Sequence, residues 1–249
     1  MRQRVGDVLD WFGNILLWLF FGIRTSLFRI HKLAFGKPVP GRTSSSFHKV
    51  LLVGDSAAEG YGEAPALLFR SRGLVGRLDV LTRACPRIRQ KWQFLDAADH
   101  TVSTMKLRKN TLWKAIQQDE DYSDAEVVIL YFGDRSSQLE AANSPDAYVR
   151  EIEAVALELL ELEKKVCICM VPTGGVSCSE TLAKVRVANR GLVDMAARIC
   201  SEMKCSGLKV GPDPDGGRLR GKELFTLDDI HFCAKGYDIF AIELLREIE

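Results

Sequence analysis

The sequence predicts an α/β fold in which a central parallel sheet is covered by helices on both faces. Three observations predict it. The short apolar runs KVLLV (49–53), EVVILYF (126–132) and KVCICMV (165–171) read as fully buried strands. Longer stretches of helical spacing separate them. A turn-rich segment follows each run: GDSAAEGYGE (54–63), GDRSS (133–137) and PTGG (172–175).

The chain opens differently. Residues 11–23, WFGNILLWLFFGI, carry no charge and one clearly polar side chain, Asn14. As a helix this run would be roughly 20 Å long, against a bilayer core of about 30 Å. Extension back to Val5 buries Asp7 and Asp10, which is costly near a membrane centre. Extension forward adds Arg24 and Arg29, which can snorkel to an interface. Beyond Ile23, Leu27, Ile30 and Ala34 recur at helical spacing while Arg24, Arg29 and Lys32 occupy other faces, the pattern of a basic helix on a membrane surface. Trp11 and Trp18 suit an interfacial belt.

Residues 1–36 are therefore expected to anchor the protein to a membrane, by a short span or along the interface. The alternatives are a hydrophobic helix packed on the domain or a partner subunit, and a cleaved secretory signal. The signal fits worst, because no small-residue cleavage site follows the apolar run. If the segment spans, Arg24, Arg29, Lys32, Lys37 and Arg42 on its C-terminal side would leave the domain in the cytosol. Residues 37–47, rich in Pro, Gly and Ser, have linker composition. The folded domain is expected over 48–249.

Within that domain, 78–82 and 208–210 are weaker strand candidates. Helices are expected over about 103–118, 145–163, 179–203 and 235–248. The second of these carries Ala147, Val149, Ile152, Val155, Leu157 and Leu160 at mixed three-and-four spacing. The acidic run QDEDYSDAE reads as a solvated loop. In open parallel sheets ligands bind beyond the C-terminal strand ends, which directs attention to the residues after Val53, Phe132 and Val171.

Composition bounds the function. In 249 residues, 47% are hydrophobic and 27% charged, which excludes a disordered or collagen-like chain. A net charge of +1 gives no reason to expect nucleic acid. The 7 cysteines are scattered without a Cys-x-x-Cys pair, so neither a disulfide framework nor zinc-ligand spacing is present. Cys167 and Cys169 lie in an apolar run and are expected in the core. These features favour a reducing compartment, and no metal or cofactor is expected.

Ser56 lies three residues beyond a buried run, in a turn leading into a helix. Serine needs a base to act as a nucleophile. Of 4 histidines, His31 lies in the N-terminal segment and His48 beside the linker, leaving His100 and His231. In TLDDIHFCAKGY, Asp228 precedes His231 by three residues, a spacing that lets one loop hold carboxylate against imidazole.

The stretch KVLLVGDSAAEGYG resembles the first conserved block of the SGNH/GDSL hydrolases, and DDIHFCAKGY resembles their last. The resemblance covers about 50–248. It implies a three-layer α/β/α flavodoxin-like domain, with Ser56 as nucleophile, His231 as base and Asp228 as its orienting partner. Two blocks depart from the family pattern. FLDAADHTVST (94–104) lacks the expected oxyanion glycine and offers Asp99 or His100 instead. Gly133-Asp134-Arg135-Ser136 places Arg135 where the oxyanion asparagine is expected. Losing one such donor typically costs about 100- to 1000-fold in turnover. Arginine could instead act as a cationic donor or select an anionic substrate such as a phospholipid head group.

Two functions are therefore expected to compete. One is a membrane-associated serine esterase or acyl-hydrolase acting on an ester, with a lipid favoured by the anchor. The other is an inactive relative serving as an accessory subunit of a membrane-bound complex. A carbohydrate O-acetyl-esterase fits an intracellular anchored protein less well.

Overall fold

The computed structural model describes residues 48–59, 73–84, 92–98, 103–104, 107, 120–173, 176, 178–214, 217–219, 221–225 and 231–248. The N-terminal segment 1–36, the linker 37–47, Asp99, His100, Asp228 and most of the helix expected over 103–118 lie outside them. The described residues all fall in one compact unit, made of Ser44–Glu63 and Arg70–Glu249.

Five parallel strands form one sheet: β1 His48–Gly54, β2 Trp92–Ala98, β3 Val127–Tyr131, β4 Lys165–Ile168 and β5 Leu208–Val210. Their spatial order is β2-β1-β3-β4-β5. In register, Gly54 lies opposite Ala98 on one side and Tyr131 on the other. The order reverses direction between β1 and β3, and that crevice is where doubly wound sheets bind ligands.

Strand side chains alternate between two cores, as a pleated sheet covered on both faces requires. Leu51, Val53, Val128, Leu130, Val166 and Ile168 face one core. It is closed by α4 Arg135–Asn143, α5 Pro145–Glu161 and α6 Ser179–Met203. Val50, Leu52, Ile129, Tyr131 and Cys167 face the other. It is closed by α2 Gly73–Ala84 and α7 Ala234–Ile248. Two short helices, α1 Ser56–Glu59 and α3 Glu120–Ser123, complete the labelled elements.

The helices form where the pattern allows. In α5, Pro145 occupies the first turn, where its missing N–H costs nothing, and Asp146 complements the helix dipole. Tyr148, Ile152, Val155, Ala156 and Leu159 form its buried stripe. The long α6 ends at Lys204, whose left-handed backbone (φ 50°) closes the helix with an N–H bond to Cys200 O.

Two sequence expectations need correction, and one strand was not foreseen. Residues 78–82 are helix, not strand, because Leu74 and Leu78, four apart, are both fully buried on one face of α2. The strand β2 was not expected. It is an edge strand whose Gln93 is half-buried and Asp96 exposed, so it shows no continuous apolar run. Beyond β3, Arg135 begins α4. The acidic run contains α3, and its Asp124 and Glu126 pair with Lys49 and His48 at 2.5 and 2.7 Å.

Cys167 and Cys169 are buried in the core, as expected. Among the described residues, no helix is long and apolar enough to cross a membrane, and no cluster of potential metal ligands occurs.

Candidate active site

The site is built from two strand ends and one loop. β1 ends at Gly54 and is followed by Asp55 and Ser56. An added Cβ at Gly54 would lie 2.1 Å from Tyr131 O and 2.7 Å from Ala58 Cβ, so only glycine lets β1, β3 and α1 meet here. Asp55 N–H donates to Tyr131 O (3.3 Å), which ties the turn to β3 beyond the regular ladder. Ser56 is then the first residue of α1, on the crevice side of the sheet.

His231 arrives on the loop before α7. That loop is held by an antiparallel bridge between Phe225 and Phe232, and by Cys233 N–H donating to Leu224 O at 2.8 Å. Phe232 stacks among Phe225, Tyr237 and Phe240, with ring centroids 4.8–5.6 Å apart. Gly236 allows the tight approach, since a Cβ there would lie 2.2 Å from Leu224 O. One turn into α7, the Tyr237 hydroxyl donates to Ala57 O at 2.7 Å. The histidine loop and the serine turn are thus fastened directly.

Ser56 Oγ and His231 Nε2 lie 3.1 Å apart in a buried setting. With the imidazole proton on Nδ1, the hydroxyl donates to Nε2, the arrangement from which the ring can accept the serine proton. Only 9% of Ser56 and 8% of His231 is exposed, so little solvent competes for that bond.

Beside the nucleophile, Asp55 is wholly buried. Its Oδ1 accepts from Ala57 N–H (2.9 Å), and its Oδ2 accepts from Asp134 N–H (3.0 Å) and Ser137 Oγ–H (2.8 Å). Asp134 in turn caps α4, accepting from Ser137 N–H at 2.8 Å. Burial, reinforced by the neighbouring Asp134 carboxylate, pushes the Asp55 carboxyl upward, against the downward pull of its three donors. Burial likewise raises the Tyr131 phenol, with Tyr237 and Asp55 adding to the effect.

The chain beyond β4 is held by a side chain from a helix. Asn189 of α6 accepts from Val171 N–H (2.9 Å) and donates to Val171 O (3.0 Å), replacing the ladder where the strand stops. Buried Pro172 and Thr173 come next at the same sheet edge.

The structure therefore brings Ser56 and His231 together and sets Gly133 and Asp134 beside them. Gly133 is buried against the Tyr131 ring, where a Cβ would meet ring atoms at 2.9–3.0 Å. Arg135 is exposed at the first residue of α4. Asp228 and Asp99 lie outside the described residues. Sequence reasoning missed Asp55, Ser137, Asn189 and Tyr237 as positioning groups. A buried-strand run ending in Gly-Asp was the available signal for Asp55. Tyr237 belongs to the block DDIHFCAKGY that carries the family resemblance, whereas Ser137 and Asn189 carry no signal, because their partners are distant in sequence.

No protein-family model matches the sequence, and no curated protein does. Solved structures do resemble it. A lipase from a goat rumen metagenome superposes with a TM-score of 0.58 at 15% identity, over 80% of this chain and 96% of that one. A lipase/acylhydrolase from Enterococcus faecalis gives 0.55 at 18%, over 81% and 95%. A catalytic mutant of an acetylxylan esterase from Geobacillus stearothermophilus gives 0.57 at 16%, over 83% and 96%. Likeness at such identities establishes architecture, and with the strand order above it shows that this chain has the three-layer α/β/α fold of SGNH/GDSL-type hydrolases.

Proposed function

We propose that this protein is a serine ester hydrolase of SGNH type that acts on an acyl ester at a membrane surface, with a lipid as the favoured substrate class. The observation that carries the reading is the Ser56–His231 hydrogen bond of 3.1 Å at the β1/β3 crevice. The structural relatives named above, lipases and esterases among them, support the reaction class.

In this reading Ser56 Oγ attacks the acyl carbonyl carbon as its proton passes to His231 Nε2. The carbonyl oxygen becomes an oxyanion facing the Ser56 backbone N–H. Collapse expels the alcohol, which takes the proton from His231 and leaves an acyl-serine. Water then attacks the acyl-serine, giving its proton to His231; the C–Oγ bond breaks as Ser56 Oγ takes that proton back, which releases the acid and restores the serine. Asp228 would orient the imidazole from the same loop. Arg135, exposed at the start of α4, would supply a guanidinium to an anionic substrate group such as a phosphate head group. Residues 1–36 would hold the domain on the membrane, with the active site on the cytosolic side.

The test is labelling with a fluorophosphonate probe. Labelling that disappears in Ser56→Ala supports the enzyme; a folded wild-type protein that stays unlabelled refutes it. That outcome favours the second reading, an inactive accessory subunit of a membrane-bound complex, which the exposed Arg135 in place of an asparagine recommends. Flotation with liposomes tests the anchor. If the full chain and a form lacking residues 1–36 both stay in the soluble fraction, the membrane assignment is wrong.

A further inference from the structure

We propose that Asp55 is a positioning residue whose carboxylate fork bolts the nucleophile turn to the turn after β3, and so aims the Ser56 hydroxyl at His231. The inference rests on the serine-hydrolase reading above and adds to it a residue that does not touch the reacting atoms.

Three facts separate this role from ordinary helix capping. A cap needs one acceptor, and serine or asparagine would cap α1 as well as aspartate. Asp55 instead divides its two oxygens between two structural units. One oxygen accepts from Ala57 in its own turn, and the other from Asp134 and Ser137 at the start of α4. All three partners are donors, so the site calls for a group that only accepts, and among side chains of this length only a carboxylate offers that on both arms. Finally, the group is wholly buried, so losing any of these bonds leaves a donor that water does not rescue.

The geometry ties this network to the chemistry. Ser56 follows Asp55 directly, so the plane of the carboxyl and the direction of the serine Cα–Cβ bond are set within one short turn. Ser137 belongs to both links, donating its N–H to Asp134 and its hydroxyl to Asp55. Asp134 N–H is directed at Asp55 Oδ2. It is therefore not a donor to the oxyanion. A shift of the α4 turn would move the nucleophile turn with it, through the bonds to Asp55.

Asp55→Asn is nearly isosteric but must turn an NH₂ towards either Ala57 N–H or the Asp134 and Ser137 donors. Ser137→Ala removes one donor from the α4 side. Each variant is read in three ways: the second-order rate of fluorophosphonate labelling, kcat and KM on p-nitrophenyl butyrate, and the pH titration of the His231 ring by ¹⁵N NMR. Misplacement of a reacting group by about 1 Å can cost on the order of 100-fold. We expect Asp55→Asn to lower labelling and kcat by about 10- to 100-fold with KM nearly unchanged, and to displace the His231 titration. Ser137→Ala should move the same readouts in the same direction by a smaller factor.

Wild-type labelling rate and an unchanged His231 titration in both folded variants would overturn the proposal. If Asp55→Asn does not fold, Ser137→Ala decides in the same way. If the wild-type protein is not labelled at all, the hydrolase reading fails separately. The His231 titration then still decides: displacement in the variants upholds the positioning role, and an unchanged curve overturns it.

Discussion

Ser56 Oγ meets His231 Nε2 at 3.1 Å although the two residues are 175 positions apart in the chain. The contact depends on three fastenings: Gly54 between β1 and β3, Tyr237 on Ala57 O, and the Phe225–Phe232 bridge behind the histidine loop. Removing either partner should therefore abolish chemistry without undoing the fold. Ser56→Ala and His231→Ala are each expected to lower ester hydrolysis by at least about 1000-fold. Near-wild-type urea midpoints, checked by circular dichroism, would show that the loss is chemical.

Tyr237→Phe tests the link between histidine loop and serine turn. It removes the donor to the buried Ala57 O at little change in volume. Stability should fall by about 1–3 kcal/mol, the cost of a buried carbonyl left unpaired. Because that carbonyl lies one residue from the nucleophile, kcat should fall as well. Denaturant titration and steady-state rates on one preparation would check both.

Asn189→Leu addresses the end of β4. The side-chain amide satisfies both backbone groups of Val171, and leucine satisfies neither. About 1–3 kcal/mol is expected for each orphaned group. Faster amide exchange at Val171 than elsewhere in β4 would locate the loss at the strand end.

Gly54→Ala should be the most damaging of the conservative changes. The new Cβ would sit 2.1 Å from Tyr131 O, and backbone cannot step aside cheaply. A cost beyond the usual ~1–3 kcal/mol of overpacking is expected. Poor soluble yield, or a thermal midpoint far below wild type, would be the readout.

Much of this architecture was legible in the chain because its signals are local. The runs that became β1, β3 and β4 are apolar on both sides, as strands buried on two faces must be. The helices α5, α6 and α7 carry stripes that any amphipathic helix shows. Ser56 and the pair Asp228 and His231 stood out by their neighbours in sequence, which is also what the family resemblance rests on.

Other features depended on partners that sequence order does not reveal. β2 is a strand because β1 lies beside it, and its edge position lets Gln93 and Asp96 interrupt the apolar pattern. Residues 78–82 look like a short apolar strand, yet Leu74 and Leu78 place them in a helix by facing one core together. Asp55 could be read in the sequence as part of a turn. Its three donors come from two segments about eighty residues apart, and only folding gathers them around a carboxylate out of reach of water. The sequence by itself determined the alternation of elements and the candidate nucleophile and base. The tertiary structure decided how those groups are held, because hydrogen bonds between distant segments exist only once the sheet has brought its strand ends together.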